Sequence, residues 1–178
     1  MSGVRRVWVV GNSGSGKTTL ARTIAGRIGA PHVELDSIYH QRGWTPLPDD
    51  EFRSRVEAVV SDDTWVLDGN YDVVSHLASL ADTVVWIDFP RAMVMRQLVR
   101  RTLSRGLLRK ELWNGNRESL RNFVRLDPQK SILRWAWTRH SVYSERFEAA
   151  SAPGGTWDGL RIVRLRSPAE VRDFVESL

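Results

Sequence analysis

The sequence predicts an α/β domain built on a mainly parallel sheet, and three observations carry that expectation. Short apolar runs alternate with helical patterns along most of the chain, several of those runs are near-continuous, and a glycine-rich turn joins the first run to the first helix. Near-continuous apolar strands belong to a sheet covered on both faces, and strand–helix alternation belongs to parallel pairing. With 178 residues the chain is long enough for one domain with a sizeable core that needs neither disulfides nor metals.

The predicted strands are 4–10, 32–35, 64–67, 83–88 and 160–165. Between them, 17–28 follows the glycine turn as a helix, 50–60 places Phe52, Val56 and Val59 on one face, and Pro90 starts another helix after the fourth strand. Ser167-Pro168-Ala169-Glu170 is a capping box with proline at the first helical position, and Val171, Phe174, Val175 and Leu178 form the apolar stripe behind it. Residues 149–155 (AASAPGG) read as a short flexible connection into the last strand. Two insertions break the alternation, at about 37–48 and about 101–129, and loops of that size in a compact domain are usually functional.

Composition excludes several classes. The chain has no cysteine, so disulfide frameworks and cysteine-ligated zinc or iron–sulfur sites are ruled out. His32, His40, His76 and His140 lack metal-ligand spacing and read as ordinary core or surface residues. No stretch approaches the roughly 18 apolar residues of a membrane span, and the apolar run after Arg5 and Arg6 is too short for a signal peptide. A cytoplasmic protein with no membrane partner is expected, and no feature specifies an oligomeric state. Net charge is +5, but residues 91–146 hold twelve arginines and two lysines against four acids, a local +10 that leaves −5 for the rest. Such a segment calls for an anionic partner: a phosphorylated small molecule, nucleic acid or acidic protein.

Gly11-Asn12-Ser13-Gly14-Ser15-Gly16-Lys17-Thr18, followed by Thr19, matches G-x-x-x-x-G-K-[ST] directly after a predicted strand and before a predicted helix. Glycines let the backbone curl its N–H groups around a phosphate, and the helix that follows aims the positive end of its dipole at the same point. The expected guest is a polyphosphate, with Lys17 on the β- and γ-phosphates and the Thr18 hydroxyl on a bridging Mg²⁺. Neither D-x-x-G nor N-K-x-D occurs, which disfavours GTP, and the L-S-G-G-Q signature of transport ATPases is absent. ATP is therefore the expected nucleotide.

Three aspartates stand at predicted strand ends: Asp36, Asp68 and Asp88. A carboxylate there lies near the bound phosphates of an open α/β sheet, so Asp68 and Asp88 compete for the job of organising Mg²⁺, and Asp36 is a candidate base for an acceptor hydroxyl. Capping the next turn is the alternative use of each.

The chain resembles the adenylate-kinase-like group of P-loop kinases over nearly its whole length. Within that group it is most similar to the DNA topology modulation, or FlaR-related, proteins, through GNSGSGKTT at 11–19, ELDSIYHQRGW at 34–44, WVLDGNY at 65–71 and LWNGNRE at 112–118. The resemblance implies a P-loop NTPase three-layer fold with a five-stranded parallel sheet of order 2-3-1-4-5, which places Asp68 beside the phosphate-loop strand. It also implies a single domain over 1–178, an acceptor-binding insertion at about 37–60, a lid at about 101–129 closing over ATP, and transfer of a phosphoryl group to a small-molecule acceptor. True adenylate kinases continue D-G-F-P-R where this chain has Asp68-Gly69-Asn70-Tyr71-Asp72, so the arginine that holds the AMP phosphate is missing and AMP is disfavoured as acceptor.

Arginines carried by a closing lid stabilise the charge of phosphoryl transfer, by roughly 10³ to 10⁵ in rate for a well-placed one. Arg96 and Arg100, four apart on the helix after the fourth strand, resemble lid-entry arginines, and Arg117 in the W-N-G-N-R-E turn is a third candidate. Trp8, Trp65 and Trp86 read as core, whereas Trp44 and Trp113 lie in the insertions, where they stack on a ligand or cover a hinge. The competing reading is an ATP-regulated nucleic-acid-binding protein that uses the basic segment on phosphate backbone, or a simple ATPase. No recognised DNA-binding motif accompanies that segment.

Overall fold

The computed structural model describes residues 3–108, 113–116 and 132–178. Five parallel strands, β1 (Arg6–Gly11), β2 (His32–Glu34), β3 (Trp65–Asp68), β4 (Thr83–Ile87) and β5 (Arg161–Leu165), form one sheet of order β2-β3-β1-β4-β5. This is the order expected above. Among the described residues six α-helices accompany them: α1 (Lys17–Ile28), α2 (Leu35–Tyr39), α3 (Asp49–Val60), α4 (Arg91–Leu108), α5 (Ile132–Ser151) and α6 (Pro168–Glu176).

The central strands alternate between two cores. Val7 and Val9 of β1 with Val85 and Ile87 of β4 pack against α1, α4 and α6 through Leu20, Ile24, Val94 and Phe174. Trp8, Val10, Val84 and Trp86 face the other way, toward Phe52 and Val56 of α3, Val74 and Leu77 of the 3-10 segment Asp72–Leu80, and Phe147 and Trp157. Burial on both faces is what the near-continuous apolar runs require. Trp8, Trp65 and Trp86 are core residues, all under 4% exposed.

Helix ends follow their chemistry. Ser167 accepts a hydrogen bond from the Glu170 N–H at 3.2 Å, the predicted cap of α6. Two stretches differ from expectation. Strand β2 stops at Glu34 and α2 begins at Leu35, so Asp36 lies in the first turn of a short helix rather than on a strand end. Residues 149–151 are the last turn of α5, and Gly155 after them is packed: a Cβ there would meet the Ala149 and Ala150 carbonyl oxygens at 2.4 Å. The segment predicted as flexible is instead folded over the end of α5, with Trp157 N–H donating to the Ala150 carbonyl at 2.9 Å.

Candidate active site

The loop between β1 and α1 leaves the C-terminal end of the central strand, where an α/β sheet presents its ligand crevice. Gly14 has φ +84, and a Cβ there would stand 2.9 Å from Leu98 Cβ of α4, so both the backbone and its neighbour require glycine. Gly16, at φ +96, hands the chain into α1, whose first residue is Lys17. Lys17 Nζ folds back to the Asn12 carbonyl at 3.0 Å, and burial lowers its pKa while the charges of Asp68 and Asp36 act to raise it. Ser15 Oγ is buried without a hydrogen-bond partner, an orphan of the kind a bound phosphate satisfies. Ser13 N–H is turned onto Asn12 Oδ1 at 2.8 Å, and Thr19 is exposed on α1.

Asp68, buried at 4% exposure, accepts the Thr18 hydroxyl on Oδ1 at 3.2 Å, and its Oδ2 lies 2.7 Å from His32 Nε2. A hydroxyl and a carboxylate side by side are the oxygen donors that Mg²⁺ takes when substrate phosphates and water complete its shell. Among the described residues no group of three or more His, Asp or Glu side chains makes an all-protein metal cage. Thr18 and Asp68 therefore fit a nucleotide-bound Mg²⁺. Asp88 is committed elsewhere: Arg164 holds its Oδ2 through Nε at 2.8 Å and Nη2 at 2.6 Å, Ser144 donates to its Oδ1, and the guanidinium lies 3.9 Å over the Trp86 ring. Asp88 serves the packing of α5 on β5.

Asp36 accepts the Tyr71 hydroxyl at 2.6 Å, and burial followed by the Asp36 charge pushes the Tyr71 pKa up. Asn70 is bound reciprocally to Gly11, its Oδ1 accepting from the Gly11 N–H at 3.2 Å and its Nδ2 donating to the Gly11 carbonyl at 2.6 Å. Gly69, at φ +137, lets α2 come against the end of β3, for a Cβ there would meet Leu35 Cβ at 2.8 Å. Asp68, Gly69, Asn70 and Tyr71 thus tie the phosphate loop to α2 within one turn of chain.

Arg96 and Arg100 are exposed on α4, and the arginine whose charge reaches Lys17 is Arg101, next in line. Arg101 follows Leu98 by three residues and so shares the helix face that packs on Gly14, a placement visible only once that contact is known. Arg117 and most of the expected lid lie outside the described residues.

Residues 113–116 do lie within them, and they clamp the 34–44 segment. Asn116 Oδ1 accepts from the Gly43 and Trp44 N–H groups at 2.8 and 3.0 Å while its Nδ2 donates to the Gln41 carbonyl at 2.9 Å. Asn114, at φ +55, donates to the Ser37 and His40 carbonyls at 3.1 and 2.6 Å, and Trp113 Nε1 donates to Glu34 Oε2 at 2.8 Å. Trp44 and Trp113 close on each other and on His40, with ring centroids 5.4 to 6.4 Å apart. In this conformation the two insertion tryptophans cover a joint.

The sheet, the loop and the strand-end carboxylate together define the fold of P-loop kinases. No protein-family model and no curated protein sequence matches the chain. Solved structures do. It is similar to shikimate kinase from Bacteroides thetaiotaomicron at TM-score 0.56 and 13% identity, over 98% of this chain and 96% of that one. A shikimate kinase from Acinetobacter baumannii, solved with shikimate, matches at 0.56 and 16% over 98% and 90%. A gluconokinase from Sinorhizobium meliloti 1021 matches at 0.50 and 18% over 97% and 94%. At these identities the shared property is the fold. The closer likeness to topology modulation proteins rests on the sequence motifs alone.

Proposed function

We propose that the protein transfers the γ-phosphoryl group of ATP to a hydroxyl of a small-molecule acceptor. One observation carries the reading: the charges of both Asp68 and Asp36 reach the buried Lys17 ammonium at the phosphate loop, and Asp68 also accepts the hydroxyl of the neighbouring Thr18. Lys17 leaves the Asn12 carbonyl for the β- and γ-phosphates, and the backbone of residues 11–16 cradles them. Thr18 and Asp68 hold Mg²⁺, which supplies neutralisation of the phosphate charge when bound. Asp36, oriented by Tyr71, takes the proton of the acceptor hydroxyl as its oxygen bonds to Pγ and the bond from Pγ to the β-γ bridging oxygen breaks. The 37–60 insertion forms the acceptor side, and the 101–129 segment forms the lid, entered past Arg96 and Arg100 of α4 and carrying Arg117, with Arg101 added by geometry. Similarity to structures of shikimate and gluconate kinases supports a small acceptor.

The test is acceptor-dependent ADP formation with shikimate, gluconate, nucleosides, nucleoside monophosphates and aryl hydroxy acids. Transfer to one of them that disappears in Lys17→Met supports the reading, and undiminished turnover in Lys17→Met overturns it.

A further inference from the structure

A cavity of about 450 Å³ lies against the sheet face opposite α1, bordered by Trp8 and Val10 of β1 and by Gly69 and Asn70 after β3. Its apolar walls include Trp8, Val10, Ala78, Val84, Phe147 and Trp157, all buried, and Ser75 and Thr156 add hydroxyls. The wall at Trp8 offers only its ring, because Nε1 is already donated to the Gly69 carbonyl at 3.0 Å. A second cavity of about 340 Å³ lies across Asn70, Tyr71 and Arg146, which line both spaces. These shared residues connect the first cavity to chemistry: Tyr71 donates to Asp36, and Asn70 is bound to Gly11 at the start of the loop. Asp36 itself lines neither cavity, so a molecule with its body in the first approaches that carboxylate by way of the Tyr71 hydroxyl.

Charge at the junction narrows the class further. Arg146 pairs there with Asp72, whose side chain is 82% exposed, so water readily replaces that carboxylate. Arg139, exposed, lines the second cavity together with Asp49 and Asp72, and among the described residues Arg146 is the cation that borders both spaces. A polyhydroxylated acceptor would lose its water against the part of the cavity walled by Trp8, Ala78, Phe147 and Trp157, whereas an apolar ring would fill it. Ligand-sized pockets run from ~300 to 1,000 Å³ and an apolar hole of ~150 Å³ already takes benzene, so this one has room for a ring with a short side chain.

We infer that the acceptor is an aryl hydroxy acid: an aromatic ring in the cavity of Trp8, Ala78, Phe147 and Trp157, a carboxylate on Arg146 in exchange for Asp72, and a hydroxyl turned toward Asp36. The inference rests on the phosphoryl-transfer reading and specifies the substrate class for it. Binding is measured separately from turnover, so the two fail separately.

The probes are 3-phenyllactate, gluconate and AMP, titrated calorimetrically into the full-length protein without ATP. Phenyllactate is expected to bind at least tenfold more tightly than either of the others. Ser75→Phe, which fills the mouth from a partly exposed position, and Arg146→Gln are each expected to weaken it tenfold or more, with circular dichroism confirming that both variants fold. Equal or tighter binding of gluconate or AMP, no binding of phenyllactate, or binding untouched by both substitutions overturns the inference. Phenyllactate binding that responds to both variants without ADP formation overturns the assignment of the cavity to the acceptor and leaves the phosphoryl-transfer reading to the Lys17→Met test.

Discussion

Replacing Asn116 with alanine should release the 37–45 segment while the sheet stays folded. The side chain makes three hydrogen bonds from a position only 4% exposed, two accepted from Gly43 and Trp44 and one donated to Gln41. At ~0.5 to 1.5 kcal/mol net for each bond, their loss amounts to roughly 2 to 4 kcal/mol, nearer the lower figure because Gly43 and Trp44 are exposed and water reaches the freed amides. With ~1.4 kcal/mol per decade, amide hydrogen exchange at residues 37–45 should accelerate by roughly thirtyfold to a thousandfold, while amides of β1 and β4 keep their protection. Aspartate distinguishes a clamp from mere packing. Asn116→Asp keeps the oxygen that accepts two N–H groups and should be milder than alanine, whereas Asn114→Asp sets a carboxylate against the Ser37 and His40 carbonyls and should open the segment fully. Equal loss of protection in the two aspartate variants, or unchanged exchange in Asn116→Ala, would refute the reasoning.

Three further outcomes are expected. Gly14→Ala combines a left-handed backbone with a 2.9 Å approach to Leu98 Cβ and should cost about 2 to 4 kcal/mol, read as a melting temperature lower by roughly 5 to 15 °C; an unchanged Tm would contradict the contact. Asp36→Asn should cut acceptor-dependent turnover by roughly 10² to 10⁴ and spare slow ATP hydrolysis to water, whereas Asp68→Asn should abolish both; the reverse division would exchange the two roles. Tyr71 and Tyr143, both shifted upward with burial as the first cause, should stay un-ionised past pH ~10, where exposed tyrosines titrate. Because their folded-state pKa lies above the unfolded value, the native state keeps protons the unfolded chain releases, so stability holds below pH ~10 and falls as pH rises beyond it. A Tyr71→Phe variant that removes an ordinary tyrosinate absorbance step near pH 10 would show the hydroxyl to be free.

The phosphate loop was legible because its determinants are contiguous: three glycines, a lysine and a threonine placed between an apolar strand and a helix. The choice between Asp68 and Asp88 was not, since both end strands of similar pattern. What separates them is Arg164, 76 residues away from Asp88 and aligned with it by the β4–β5 pairing. His32 read as an ordinary residue for the same reason, because its contact with Asp68 exists only when β2 lies beside β3. Asn114 and Asn116 sat in a recognisable motif, but their partners are more than 70 residues distant and are backbone groups, which leave no mark on side-chain identity. The strand order likewise came from the resemblance and not from hydrophobic pattern, which specifies strands without ordering them.

At the junction of β3 and α2, the separation between the two carboxylates depends on an atom that is missing. The Leu35 side chain occupies the space where a β-carbon of residue 69 would be, and Asp36 is the next residue along. Any larger residue at position 69 pushes the start of α2 outward and carries Asp36 with it, while Asp68, held by Thr18 and His32, stays in place. Tolerance for error in an in-line transfer is small, since reacting atoms must lie within ~3 to 3.5 Å and a displacement of ~1 Å costs on the order of a hundredfold in rate. Position 69 is thus a gauge: glycine there sets how near the start of α2, and Asp36 with it, comes to the end of β3.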